Sequence, residues 1–220
     1  MNTLKNRDEI LKKLRICSSG PEADLSSELI RTPVEDISAQ YEAFRQNLVV
    51  AAGNAHRVES NNEALQKIDE ILTGFNASSI ALSGDEVISS LGVRAYFQGR
   101  KIVVRDLAKS IDEHRNISFT VDAGITGADY AIADTGTVVI VHNRNNPRLI
   151  SLAPPAHIVI LPIHKLLPDI DTVIAEINPV TGELPSAISL ITGPSMTGDI
   201  ALQATYGMHG PEVVEVIIVG

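Results

Sequence analysis

The chain has 220 residues, 44% hydrophobic, 4% aromatic and 20% charged, with a formal net charge of −9. That length suits one α/β domain, or one domain with an added arm, and the apolar content is enough for a sizeable core. The acidic balance and the lack of tryptophan argue against nucleic acid, which is bound through Lys and Arg on phosphates and through stacked aromatics. No segment approaches the ~20 uninterrupted apolar residues of a membrane span. The opening MNTLKNRDEILKKLRI has no apolar signal core, so a cytoplasmic protein is expected. A single cysteine, Cys17, leaves no intramolecular disulfide and no thiolate set for zinc or an iron–sulfur cluster.

Residues 1–35 read as an arm and linker. Ile10, Leu11, Leu14 and Ile16 have helical spacing, and Cys17 to Glu35 is rich in Ser, Pro and acidic residues. Such an arm could pack on its own body or on a neighbouring chain in a homo-oligomer. Residues 36–220 form the body. A helix is predicted from Ile37 to Ala55 and an edge strand from His56. A second helix runs over Asn62–Leu72, with Asn61 or Asn62 as cap and Gly74 as stop. Ser79–Ser83 reads as a strand, Glu86–Leu91 as a helix ended by Gly92, Val103-Val104 as a strand and Lys109–Glu113 as a helical turn. This alternation predicts a sheet with helices on its faces.

Asp122 to Pro155 is the most informative stretch. Gly124-Ile125-Thr126-Gly127-Ala128-Asp129 reads as a glycine-spaced turn, and Asp134-Thr135-Gly136-Thr137 as a polar break in an apolar run. Val138–Val141 is a β-branched strand, Asn143–Pro147 a turn, and Arg148–Leu152 the returning strand, giving a hairpin insertion over Val138–Leu152. Beyond it come a strand at His157–Leu161, a helix at Leu166–Ile177 and a strand at Ile188–Ile191. That strand feeds Thr192–Asp199, a helix over Ile200–Tyr206, a turn at Gly207–Pro211 and a final strand from Glu212 to Val219.

Four motifs now stand in order: GITGADYAIADTGT, PRLISLAPPAHIVI, LITGPSMTGDI and GMHGP-x-VVEVIIVG. Together they resemble the lactate utilisation protein C family, or LUD domain, formerly a domain of unknown function. The resemblance implies a three-layer, Rossmann-like α/β fold with a mostly parallel sheet, as in the glucosamine-phosphate deaminase, pentose-phosphate isomerase and CoA-transferase group. Gly127-Ala128-Asp129 resembles the GAD turn of sugar-phosphate isomerases in that group, whose aspartate sits at the active cleft. The resemblance also implies a role in oxidising L-lactate to pyruvate beside iron–sulfur partner subunits. The clusters are expected on those subunits, with no cofactor in this chain.

The candidate residues each carry two readings. Asp129 and Asp134 are the candidates for acid–base work, since burial raises a carboxyl's pKa and glycine-turn N–H groups lower it. Asp134–Thr137 could equally be an Asx-type turn. His209, between glycines, is the histidine best placed to meet a ligand. Gly193, Ser195 and Thr197 could cradle an anion at a helix N-terminus, or Ser195 could be a plain cap, and Asp199, also a ligand-site candidate, could orient that loop or repel a wrong ligand. Arg148 could clamp a carboxylate or pair with an acidic neighbour. Thr126, Gly127, Thr135, Gly136, Thr137 and Gly210 complete the ligand-binding candidates, and no motif suggests a metal site. Ligands of parallel sheets sit beyond the carboxyl ends of the strands. The expectation is therefore that Thr126–Asp129, Asp134–Thr137, Ser195–Asp199 and His209 meet at one rim around a small anion. Two roles stay open: a non-redox component of a lactate-oxidising system, or a stand-alone transferase, isomerase or ligase acting on an acyl-CoA, sugar-phosphate or folate-like anion.

Overall fold

The computed structural model describes residues 36–105, 111–177, 185, 187–198 and 204–220. The predicted arm with Cys17, the start of the turn at 109–110, the loop at 178–182 and Asp199 lie outside the described residues. Six strands make an all-parallel sheet: β1 (Asn54–Val58), β2 (Ser79–Leu82), β3 (Val103–Arg105), β4 (Ala123–Gly127), β7 (Ala156–Pro162) and β12 (Val213–Val219), in the order β1-β12-β7-β4-β2-β3. A second sheet, β8-β5-β6-β9, joins β5 (Tyr130–Ile132), β6 (Thr137–His142), β8 (Leu166–Leu167) and β9 (Ala187–Ile191). Among the described residues no helix is long and apolar enough to cross a membrane.

The three-layer arrangement follows from strand periodicity. Alternate side chains of a buried strand point to opposite faces, so both faces need a cover. Ile80, Leu82, Ala123, Ile125, Ile158, Ile160 and Ile217 meet α2 (Asn61–Gly74), α3 (Glu86–Leu91) and α4 (Val93–Phe97) through Leu65, Ile68, Leu72, Ile88 and Phe97. The alternate residues Val159, Leu161, Val214, Val216 and Ile218 pack against Phe44 and Leu48 of α1 (Ile37–Val50) and against Ala131, Val138 and Ile140 of the second sheet. One outer layer is therefore helical and the other is a helix beside a small mixed sheet. Farther along that second face, Ala81 and Val121 enclose Ile150 beside Ile117 of α5 (Ile111–Thr120).

Local chemistry explains the helix starts. Ser60 caps α2, its hydroxyl accepting the Glu63 N–H at 3.3 Å, so the cap precedes the two asparagines expected to supply it. Glu63 returns the bond, accepting the Glu59 N–H at 3.0 Å. Gly92 ends α3 in the left-handed region at φ 73°, where glycine carries no Cβ penalty.

Four expectations change. Gly124–Gly127 is part of β4, a central strand, and its glycines serve close approach rather than a turn. A methyl group added at Gly124 would lie 2.0 Å from the Ile150 carbonyl oxygen. Leu149–Leu152 is a helical turn, α6, instead of a returning strand. The hairpin partner of β6 is β5 on one side, and β9 occupies the other, so no free edge remains for a third strand. The helix expected from Leu166 starts only at Ile170 as α7 (Ile170–Ile177). Leu166 and Leu167 first pair with β5, and Asp169 then caps the helix by accepting the Thr172 N–H at 2.8 Å. Finally, Ala204–Tyr206 is a strand, β11, antiparallel to β10 (Met196–Gly198), where a helix was expected. Gly207, at φ 79°, closes that ribbon by donating to the Ser195 carbonyl at 2.9 Å.

Gly124→Ala is expected to destabilise the fold by about 1–3 kcal/mol, because a backbone carbonyl must move to admit the methyl group. Chemical denaturation at constant m-value measures it.

Candidate functional site at the carboxyl ends of the strands

The parallel sheet ends in a polar cavity of about 210 Å³, walled by loops that follow β2, β4 and β7 and by the end of β6. Asp85 forms its foundation. One carboxylate oxygen caps α3 by accepting the Ile88 N–H at 3.0 Å, and the other accepts the Gly127 N–H at 2.9 Å and the Ser83 hydroxyl. A side chain at Gly127 would strike this carboxylate, since an added Cβ would lie 2.4 Å from Asp85 Oδ1. The glycine thus lets the end of β4 close on the start of α3.

Two residues later the chain presents Asp129. Its N–H donates to Val139 O at 2.9 Å, and its Oδ2 accepts the Val141 N–H at 2.7 Å. Among the described residues no hydrogen bond reaches Oδ1. Burial pushes the Asp129 carboxyl above its ordinary value. The Val141 N–H opposes that rise, the Asp85 charge adds to it, and Lys165 and His142 oppose it more weakly. Lys165 arrives from the turn after β7 and sets its Nζ 4.8 Å from the centre of the Tyr130 ring, where the π-face attracts a cation. Burial also raises the Tyr130 phenol, so it stays a hydrogen-bond donor near neutral pH. Asn143 and Asn146 complete the wall. Asn146 is 2% exposed, and its side-chain oxygen is buried without a hydrogen-bond partner. Such a group costs stability; the residue borders this cavity, while the oxygen itself is buried behind the wall. Among the described residues no group of three or more His, Cys, Asp or Glu side chains could hold a metal ion.

The expected single rim is divided. Gly127 and Asp129 stand at the carboxyl ends of the strands. Ser195 lies at the other end: its N–H donates to Pro211 O at 2.8 Å, just before β12, and Glu212 in turn donates to Pro155 O, just before β7. From the level of Pro155 to that of Ile160 the strands span about 17 Å. Gly210 packs beside Ser195, and a Cβ there would lie 3.1 Å from the serine Cβ. Gly193 abuts the Ala51 carbonyl at the end of α1, which leads into the start of β1. Asp134–Thr137 joins the same region. Gly136, in the left-handed region at φ 64°, rests on Leu48, and Asn47 donates to Ala133 O and Asp134 O at 3.0 and 2.8 Å. Thr135 donates to Thr137, whose hydroxyl meets that of Thr192 at 2.8 Å. Asp134 is exposed, its carboxyl raised by partial burial and by Asp169. Thr197 and His209 are exposed, and Arg148 is exposed at the start of α6. Ser195 stands before the strand β10, so no helix N-terminus follows it directly.

Thr126 is fully buried one residue before the rim, its hydroxyl 2.9 Å from His157 Nε2. His142 is buried between Asn146 O at 3.1 Å and the Ser189 hydroxyl at 2.7 Å. Sequence reasoning passed over Asp85, Lys165, Tyr130, Asn143 and Asn146. Each follows a strand or ends one, so the rule that ligands gather beyond strand carboxyl ends would have found Asp85 after Leu82 and Lys165 after Pro162.

Fold and cavity together define a three-layer α/β protein with a polar cavity at the carboxyl ends of a parallel sheet. The LUD domain pattern matches residues 41–219. Lactate utilization protein C of Oceanobacillus iheyensis is 28% identical over 233 aligned positions, covering 98% of this chain and 99% of that protein. The namesake protein of Halalkalibacterium halodurans is 33% identical over 149 residues, 66% of this chain and 64% of that protein's length. A DUF162 family protein from Deinococcus radiodurans, 19% identical, shares the fold with a TM-score of 0.62 over 84% of this chain and 99% of that one. The chain belongs to the LUD domain family, among the lactate utilization C proteins.

Two pH dependences of opposite sign follow. His157 is wholly buried and its pKa is lowered to about 3 by desolvation, with His142 contributing. Between that value and the unfolded one the denatured chain binds the extra proton. Stability is then full above the unfolded pKa and falls as pH drops below about 6.5, by on the order of 3 kcal/mol at pH 4. His157→Gln should flatten this slope in urea titrations from pH 4 to 7. Asp129 acts the other way. Its raised pKa means that stability is lost as pH rises through the folded value, so Asp129→Asn should raise Tm by roughly 1–3 °C at pH 8 and less at pH 4.

Proposed function

We propose that the chain is a lactate-utilisation protein that holds a small organic anion at the carboxyl rim, with Lys165 as its electrostatic anchor and Asp129 as its proton acceptor or donor. One observation carries the reading. One cavity brings together a carboxyl raised by burial, a lysine ammonium held over Tyr130 and the wall residues Asn143 and Asn146. A 2-hydroxy acid is complementary to that set. Its carboxylate balances Lys165, and Asp129 Oδ1 can exchange a proton with its hydroxyl. The membership in the lactate utilization C group supports placing the chain beside iron–sulfur subunits that carry the electrons, while this chain binds the acid and handles protons.

The raised Asp129 carboxyl favours a second reading, in which the chain itself catalyses a proton-transfer step on an acyl or phosphorylated anion. Isothermal titration calorimetry with lactate and pyruvate tests the anion site. The wild type should bind, and Lys165→Met should bind at least tenfold more weakly. A deletion strain complemented with Lys165→Met should fail to grow on lactate, whereas Ser195→Ala, at the opposite end of the sheet, should restore growth. Equal binding by wild type and Lys165→Met would overturn the assignment.

A further inference from the structure

A larger cavity of about 510 Å³ adjoins the polar one along Glu86, Val87, Pro162 and Lys165. Its walls differ in kind. Val87 and Leu91 of α3 face Ile160 and Pro162 of β7 and Val219 of β12, which give most of the lining surface an apolar character, while Asn61, Glu86, Ser90, His164 and Lys165 supply its polar part. The smaller cavity by contrast holds Asp129, Tyr130, Asn143 and Asn146. Lys165 stands between them, and its Nζ, over the Tyr130 ring, is drawn to the polar side.

A three-carbon hydroxy acid bound at Lys165 leaves the larger cavity filled with water against an apolar wall. That is an unfavourable arrangement, which a longer ligand would relieve. The larger cavity also lies within the ~300–1,000 Å³ range of sites that enclose whole small-molecule ligands. We propose, resting on the anion site above, that the chain prefers an amphipathic anion: a polar acid head at Lys165 and Asp129, joined to an apolar body that fills the cavity between α3 and the ends of β7 and β12. On this reading the chain selects a medium-chain acid over lactate itself.

The experiment is a calorimetric series with the full-length protein and straight-chain 2-hydroxy acids from lactate to 2-hydroxyoctanoate. Affinity should rise about threefold to fourfold per added methylene until the cavity is filled. Ser90→Trp places an indole in the larger cavity from an exposed helix position and should remove that rise. Equal affinity along the wild-type series, or a rise unchanged in Ser90→Trp, overturns the apolar subsite while leaving the anion site standing. Failure of every acid in the series to bind overturns the anion site itself, and the subsite with it.

Discussion

Asp85 is the joint on which the carboxyl rim is assembled. Its two oxygens are taken up by the α3 N-terminus, the end of β4 and the Ser83 hydroxyl, all of them groups that would otherwise lack partners at the open end of a parallel sheet. Two consequences follow from this one carboxylate. The loop after β4 is pinned, so Asp129 leaves the sheet in a fixed direction toward Val141. Its charge also stands near that second carboxyl and adds to the rise that burial begins. Positioning and electrostatic tuning thus come from the same group.

The two faces of the parallel sheet divide the work. The helical face is uniformly apolar around Ile68, Leu72, Ile125 and Ile158 and supplies most of the cohesion. The opposite face admits polar residues between its apolar ones. Thr126 and His157 form a sealed pair there, and burial keeps the imidazole neutral so that one nitrogen can bond the hydroxyl. At the sheet edge the helical face carries a polar cluster too: Glu215, two residues before Ile217, is buried with its oxygens 2.9 Å from Asn54 Nδ2 and 2.7 Å from His56 Nε2. Buried polar groups are tolerated on these strands because each side chain meets a partner on an adjacent one, although His157 Nδ1 stays without one.

Much of the architecture could be read from the residues alone. The β-branched runs at Val138, His157 and Val213 became strands, and the helix over Glu86–Leu91 stopped at Gly92 as expected, because short-range chemistry decides them. What stayed hidden depended on neighbours distant in the chain. Gly124 and Gly127 look like turn residues until Ile150 and Asp85 arrive against them. Leu149–Leu152 looks like a strand until β5 and β9 are seen to occupy both edges of β6. The candidate residues divided because parallel strands all start at one end and finish at the other. Polar clusters that precede a strand, as around Ser195 and Gly210, are then held a full strand length from those that follow one, such as Asp129.

The rim's walls belong to two different hydrogen-bonded units. Gly127 and Pro162 are tied into the six-stranded ladder, whereas Tyr130 and Val141 lie on the hairpin that pairs with β8 and β9. Val141 grips Asp129 through its main chain, whatever side chain it bears. The chemistry of the mouth can therefore be retuned by exchanging hairpin side chains, with the central ladder left intact. A lineage exploring new metabolites, or an engineer doing the same, has a ready-made place to begin.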